Sequence, residues 1–176
     1  MIIVDAPPVP TFWFDRPDGS NGADSIHGVA HTQRVWIHTQ ELAEELELAE
    51  WDREALRYAA LWHDIGRTHD HGDYYHGAKS AGKVVGLGLH EGIEPWLLET
   101  VLYAITHHSG SEHRGERAAE RLQDSEVGLC VFRVLKDADA LDRVRLGSDD
   151  LDVNRLRFEE SRHRVARAWA LLESVP

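Results

Sequence analysis

One cysteine in 176 residues leaves no partner for an internal disulfide. Cys130 lies in the apolar run Val127-Gly128-Leu129-Cys130-Val131-Phe132, so it is expected to behave as a small core residue and not as a nucleophile. Also missing are a basic, apolar leader after Met1 and any apolar window long enough to span a bilayer. These absences lead to the expectation of a soluble protein in a reducing cytoplasm. Positive charge is scarce: 19 Lys and Arg stand against 31 Asp and Glu, a net charge of −12 with His neutral. Such an excess of acid argues against a polynucleotide or an anionic membrane as partner, although bound cations can reverse the field within a pocket. There is no internal repeat, no low-complexity tract and no pair of segments with the alternating pattern of strands.

What remains is a hydrophobic fraction of 42% with six Trp, enough for one core, and apolar positions that recur at helical spacing. Four of the six prolines fall in residues 5 to 24, which predicts an irregular lead-in over 1–24, anchored by Phe12, Trp13 and Phe14. The domain proper is expected over 25–176. Its first helix runs from a Ser25 cap to about residue 48, and its second from an Asp52 cap to a stop at Gly66. A polar loop over 68–73 leads to a short helix over 74–85. Glu94-Pro95 opens a helix through His107, and residues 109–125 are charged and exposed. Further helices are expected over 127–144 and 154–174. The fold class is all-α, a single-domain helical bundle.

Chemistry-bearing residues sit on these apolar helices. His27 and His31 are four apart, so both are expected to project from the same face of the first helix, with Arg34 and His38 continuing a stripe that at His38 is expected to be partly exposed. His63 and Asp64 follow the apolar run from Leu56 to Trp62, near a helix C-terminus that favours cations. As adjacent residues they diverge by about 100°, so they suit two different roles at an ion and not simple chelation. Asp139 lies among Val131, Val134, Leu135, Ala138 and Leu141, where a carboxylate is costly unless a base, a metal or solvent compensates it. By itself Asp139 suits an ordinary pair with Arg143, with Asp137 and Asp142 as its solvated neighbours. Lys79, Lys83, Arg143 and Arg145 can bind phosphate, and helix salt bridges explain them equally well. His69, His71, His90, His113 and His163 fit surface positions.

Taken in order, His31-x-x-Arg34-Val35, Ala60-Leu61-Trp62-His63-Asp64-Ile65-Gly66-Arg67, Ala104-Ile105-Thr106-His107-His108-Ser109 and Lys136-Asp137-Ala138-Asp139-Ala140-Leu141 resemble the HD-domain metal-dependent phosphohydrolase superfamily over residues 25–145. The resemblance implies a metal set of His31, His63, Asp64 and Asp139, with Asp139 preferred to Asp137. It adds His76 and His108 for a second ion, with His107 as the alternative to His108 and His27 as a further candidate ligand. Arg67 stands where the superfamily often has lysine. A guanidinium keeps its charge but cannot readily exchange a proton, so Arg67 is expected to bind substrate or the transition state and not to act as a general acid. The Gly-Tyr-Pro signature of the cyclic-di-GMP phosphodiesterase branch is missing after His107-His108.

The expected cofactor is one or, more in keeping with the ligand set, two divalent transition ions, iron, manganese, cobalt or zinc. The expected reaction is hydrolysis of a phosphate ester or anhydride of a small nucleotide or phosphometabolite by metal-activated water. Asp64 and Arg67 are the catalytic candidates, and Arg67, Lys79 and Arg143 the substrate-binding ones. The same ligand types resemble those of HD-fold diiron oxygenases, and a non-catalytic nucleotide-binding HD module is the third reading.

Overall fold

The computed structural model describes residues 6–175, so residues 1–5 of the expected lead-in and residue 176 of the expected domain lie outside it. Eight α-helices and no strand are present among the described residues, which are 62% helical. The helices are α1 (Val29–Glu45), α2 (Glu50–Trp62), α3 (His76–Gly86), α4 (Pro95–His108), α5 (Glu112–Ala119), α6 (Ser125–Leu141), α7 (Glu159–His163) and α8 (Val165–Ser174). Helices α2, α4 and α6 pack mutually around the core, α1 packs against α2 and α6, and α3 lies against α4. Leu42, Leu56, Ile105, Phe132, Leu135 and Leu141 are fully buried between them.

Two expected caps are not used. Ser25 lies in the turn before α1, where the Val29 amide donates to the Ala23 carbonyl and Gly28 stands at the N-cap. His27 therefore precedes α1 and does not share a helix face with His31. Helix α2 starts at Glu50, which places Asp52 inside its first turn, where a carboxylate favours the helix dipole. In the lead-in, Trp13 meets Trp62 edge to face at 6.5 Å and Phe14 is buried, whereas Phe12 is exposed and anchors nothing.

The stretch expected to be merely charged contains α5. Gly115 and Ala119 face inward there, so two small residues bury a helix whose remaining positions are mostly charged. The expected final helix over 154–174 is broken into a 3-10 turn, α7 and α8. The cause is Asp137, which is fully buried, not solvated. Its Oδ2 accepts the amides of Arg157 and Phe158 at 2.8 and 3.1 Å, and its Oδ1 receives Arg157 Nη1 at 2.8 Å. Those amides are thereby held in extended backbone ahead of α7.

Glycine matters at two close approaches. Helix α2 ends at Trp62, so Gly66 does not stop it. A Cβ on Gly66 would stand 2.2 Å from the Ser80 backbone nitrogen, and a Cβ on Gly77 2.3 Å from the Ile105 carbonyl oxygen. Their bare backbones let α3 settle against the turn after α2 and against α4.

Candidate metal centre

Five elements deliver side chains to one point. His31 comes from α1, His63 and Asp64 from the turn that ends α2, His76 from the first position of α3, and His108 from the last position of α4. Asp139 is in the last turn of α6. Asp64 is the hub. Its Oδ2 lies 3.5 Å from His31 Nε2 and 3.8 Å from His63 Nε2, while its Oδ1 lies 3.0 Å from His76 Nε2 and 3.6 Å from His108 Nε2. Asp139 Oδ1 is 3.4 Å from His31 Nε2. Three ligand-capable groups overlap here: His27, His31 and Asp64; His31, His63 and Asp139; His63, Asp64 and His108.

Ring tautomers decide what this cluster can do. The Nδ1 of His63, His76 and His108 lies 2.8, 2.5 and 2.7 Å from the carbonyl oxygens of Ala60, Asp73 and Ile105 respectively. A carbonyl only accepts, so each Nδ1 carries the proton and each Nε2 presents a lone pair. His31 Nδ1 is spoken for in the same way, 2.7 Å from Asp142 Oδ2. Yet His31 Nε2 and His63 Nε2 are only 3.0 Å apart, and His76 Nε2 and His108 Nε2 only 2.9 Å apart. Asp64 Oδ1, buried between the second pair, has no hydrogen-bond partner among the described residues. Converging lone pairs around an orphaned carboxylate oxygen repel one another unless cations stand among them. The residues therefore fit a metal ion.

The protonation tendencies agree. Burial pushes the His63 imidazole down to about 3, so it is neutral and ready to ligate at ordinary pH. Burial raises the carboxyls of Asp64 and Asp139, but the surrounding imidazoles outweigh it and hold both well below the usual range. Burial and the Arg145 charge lower His31, and the carboxylates of Asp142 and Asp64 together more than offset them, leaving it raised.

Asp142, expected to be solvated, is fully buried and is the functional residue that the sequence reading missed. It receives Arg34 Nε at 2.6 Å as well as His31 Nδ1, and Arg34 Nη1 in turn donates to the Val175 carbonyl at 2.6 Å. The signal was present: His31-x-x-Arg34 and Asp139-x-x-Asp142 are both one helical turn apart, so two helices can pair them face to face. His38 also departs from expectation, being fully buried and not on a partly exposed stripe.

The basic candidates divide. Arg67 is at the centre, its Nε 2.8 Å from Asp64 Oδ2 and its Nη2 3.4 Å from His76 Nε2. Lys79 pairs with Asp73 at 2.7 Å, and with Arg16, Arg67 and Lys83 it lines a cleft of about 490 Å³. Arg143, 49% exposed, turns instead to Asp150, and the expected Asp139–Arg143 pair does not form. Arg145 takes the inner position: 6% exposed, it reaches His27 Nδ1 at 3.1 Å and Asp142 Oδ2 at 3.4 Å. His27 Nδ1 is also 3.0 Å from Asp64 Oδ2. His107 is in none of the three ligand groups, and its ring lies 5.3 Å from that of Tyr103. Cys130 is half-buried in α6, its thiol pushed up to about 11 by burial.

Residues 28–144 match the HD domain, two thirds of the chain. The chain belongs to the HD-domain family. That superfamily consists mostly of metal-dependent phosphohydrolases. Neither a curated protein nor a solved structure matches the chain. This HD domain has no described helix long and apolar enough to cross a membrane.

Proposed function

We propose that this HD domain is a metal-dependent phosphohydrolase that cleaves a phosphate ester or anhydride of a small nucleotide or phosphometabolite. The observation that carries the reading is the convergence of four Nε2 lone pairs on a single buried carboxylate, with Arg67 beside it and Arg145 at its His27 edge. In this reading His31, His63, Asp64 and Asp139 hold one ion, and Asp64, His76 and His108 hold a second. The imidazole and carboxylate set suits iron, manganese, cobalt or zinc. Bound divalent ions supply Lewis acidity and bring the pKa of water toward neutrality.

The chain's own residues do the rest. Asp142 fixes the His31 ring so that Nε2 and not Nδ1 faces the centre, and Ala60, Asp73 and Ile105 do the same for the other three rings through their carbonyls. Arg67 lies between Asp64 and the cleft lined by Arg16, Lys79 and Lys83, so a phosphoryl group entering from that cleft meets a permanent positive charge at the centre. Arg145 adds charge at the His27 edge. Neither guanidinium gives up a proton, so both stabilise developing charge on phosphoryl oxygens and serve as neither acid nor base.

The test is phosphate release from a panel of nucleotides and phosphometabolites after loading the protein with each of the four metals. Turnover should fall by about a thousandfold or more in Asp64→Asn, as expected when the group that organises both ions is lost. Unchanged turnover in that variant, or oxygen uptake in place of phosphate release, would overturn the reading.

A further inference from the structure

Away from the metal cage, α4 and α5 enclose a cleft of about 410 Å³ lined by His107, His113, Arg114, Arg117, Glu120 and Arg121, with Ala118 between them. Arg114, Arg117 and Arg121 recur at the spacing of one helical face as α5 passes into the turn that ends it. The acids on the same helix are engaged elsewhere: Glu112 with Arg157 and Arg133, and Glu116 with Arg133. Among the described residues, none of the three cleft arginines has a carboxylate partner, and Glu120 is the one acid lining the cleft. Three charges that cannot be neutralised by deprotonation thus face one carboxylate, in a chain whose net charge is −12.

The size and the field define what fits. The volume is that of a small-molecule site, and adjacent guanidinium forks suit phosphate oxygens bidentately. A long polyanion would meet the negative field of the remaining surface, whereas a compact anion feels mainly the local arginines. The cleft shares the last turn of α4 with His108, yet no residue lining it belongs to the metal-ligand groups. We infer that the α4–α5 cleft is a second ligand site, which takes a small, multiply charged anion of the diphosphate class independently of the metal centre.

Metal-stripped full-length protein titrated calorimetrically with inorganic pyrophosphate at low ionic strength tests this directly. Saturable single-site binding is expected, about tenfold weaker or more in the Arg114→Gln, Arg117→Gln double variant. It should be tighter in Glu120→Gln, which removes the opposing charge, and essentially unchanged in Arg67→Gln. All four positions are outside the buried core, and Glu120→Gln gives a gain of affinity that misfolding cannot mimic. Equal affinity in wild type and the double variant overturns the inference. So does loss of binding in Arg67→Gln, which would place the anion at the metal centre. Equal displacement of heat by sulfate at matched ionic strength would reduce the cleft to a region of diffuse counter-ions, and that too would overturn it.

Discussion

At the level of single side chains, the centre depends on which ring nitrogen each histidine leaves free. Asp142→Asn can still accept from one partner but no longer balances both His31 Nδ1 and the Arg34 guanidinium. Divalent-metal affinity should drop by about 10- to 100-fold, the usual effect of losing a group that orients a ligand, and calorimetric metal titration reads it. His38 offers a test of stability. Both its ring nitrogens are buried without a partner, and burial, helped by the charges of Arg164, Arg167 and Arg34 and opposed by Asp142, pushes its pKa down to about 3. Unfolded chains protonate this ring below an ordinary pKa of about 6.5, whereas the folded protein resists down to about 3. The unfolded state therefore binds more protons across that window, and His38 makes stability fall as pH falls through it. His38→Leu should raise stability at pH 7 by on the order of 1–2 kcal/mol, because the unpaired nitrogens are gone. It should also flatten the decline between neutral and acid pH in chemical denaturation. A steeper decline in the variant would show that His38 is not held neutral.

Among the helices, the approach of α3 to α4 decides whether His76 and His108 meet. Gly77→Ala places a methyl group against the Ile105 carbonyl, a backbone atom that cannot swing aside. The variant should separate the two helices and weaken the half of the centre built on Asp64 Oδ1, while His31, His63 and Asp139 stay in register. If the cluster takes two ions as proposed, metal analysis should then show one fewer ion per chain in the variant than in the parent protein. The break before α7 has an equally local cause. Asp137→Ala takes the acceptor from two backbone amides and from Arg157 Nη1, while Glu112 still holds the rest of the guanidinium, and should cost on the order of 2 kcal/mol of stability in urea denaturation. The sequence pattern gave no warning of this break, because Asp137 and Arg157 are twenty positions apart and each taken alone looks like a solvated helix residue. Helix α5 was hidden for the opposite reason. Its buried face consists of Gly115 and Ala119, which hydrophobic periodicity does not register.

For the molecule as a whole, the His/Asp cluster ties five elements together. Repelling lone pairs and carboxylates weigh against the fold until cations join them, so metal binding should stabilise the entire domain. At free metal about a hundredfold above its dissociation constant the gain approaches ~2.7 kcal/mol. A chelator should lower the melting temperature measurably, and the shift should vanish in Asp64→Asn. If chelation leaves the melting temperature unchanged, the cluster does not hold metal under those conditions.

The sequence by itself determined the helical class and the family. Apolar spacing in α1, α2, α4 and α6 reflects a one-dimensional pattern, and the ordered motifs from His31 to Asp139 are read along the chain without knowledge of contacts. It also separated Asp139 from Asp137, through motif context. Tertiary structure alone decided the matters that depend on pairing across helices. It turned Asp142 and Asp137 from solvated acids into buried anchors, put Arg145 and not Arg143 at the inner edge, and withdrew His107 from the centre into the α4–α5 cleft. Adjacent residues such as His107 and His108, or pairs as close as Arg143 and Arg145, look interchangeable along a sequence. On a helix packed against its neighbours they face different surroundings, and the surroundings decide which one meets the metal centre.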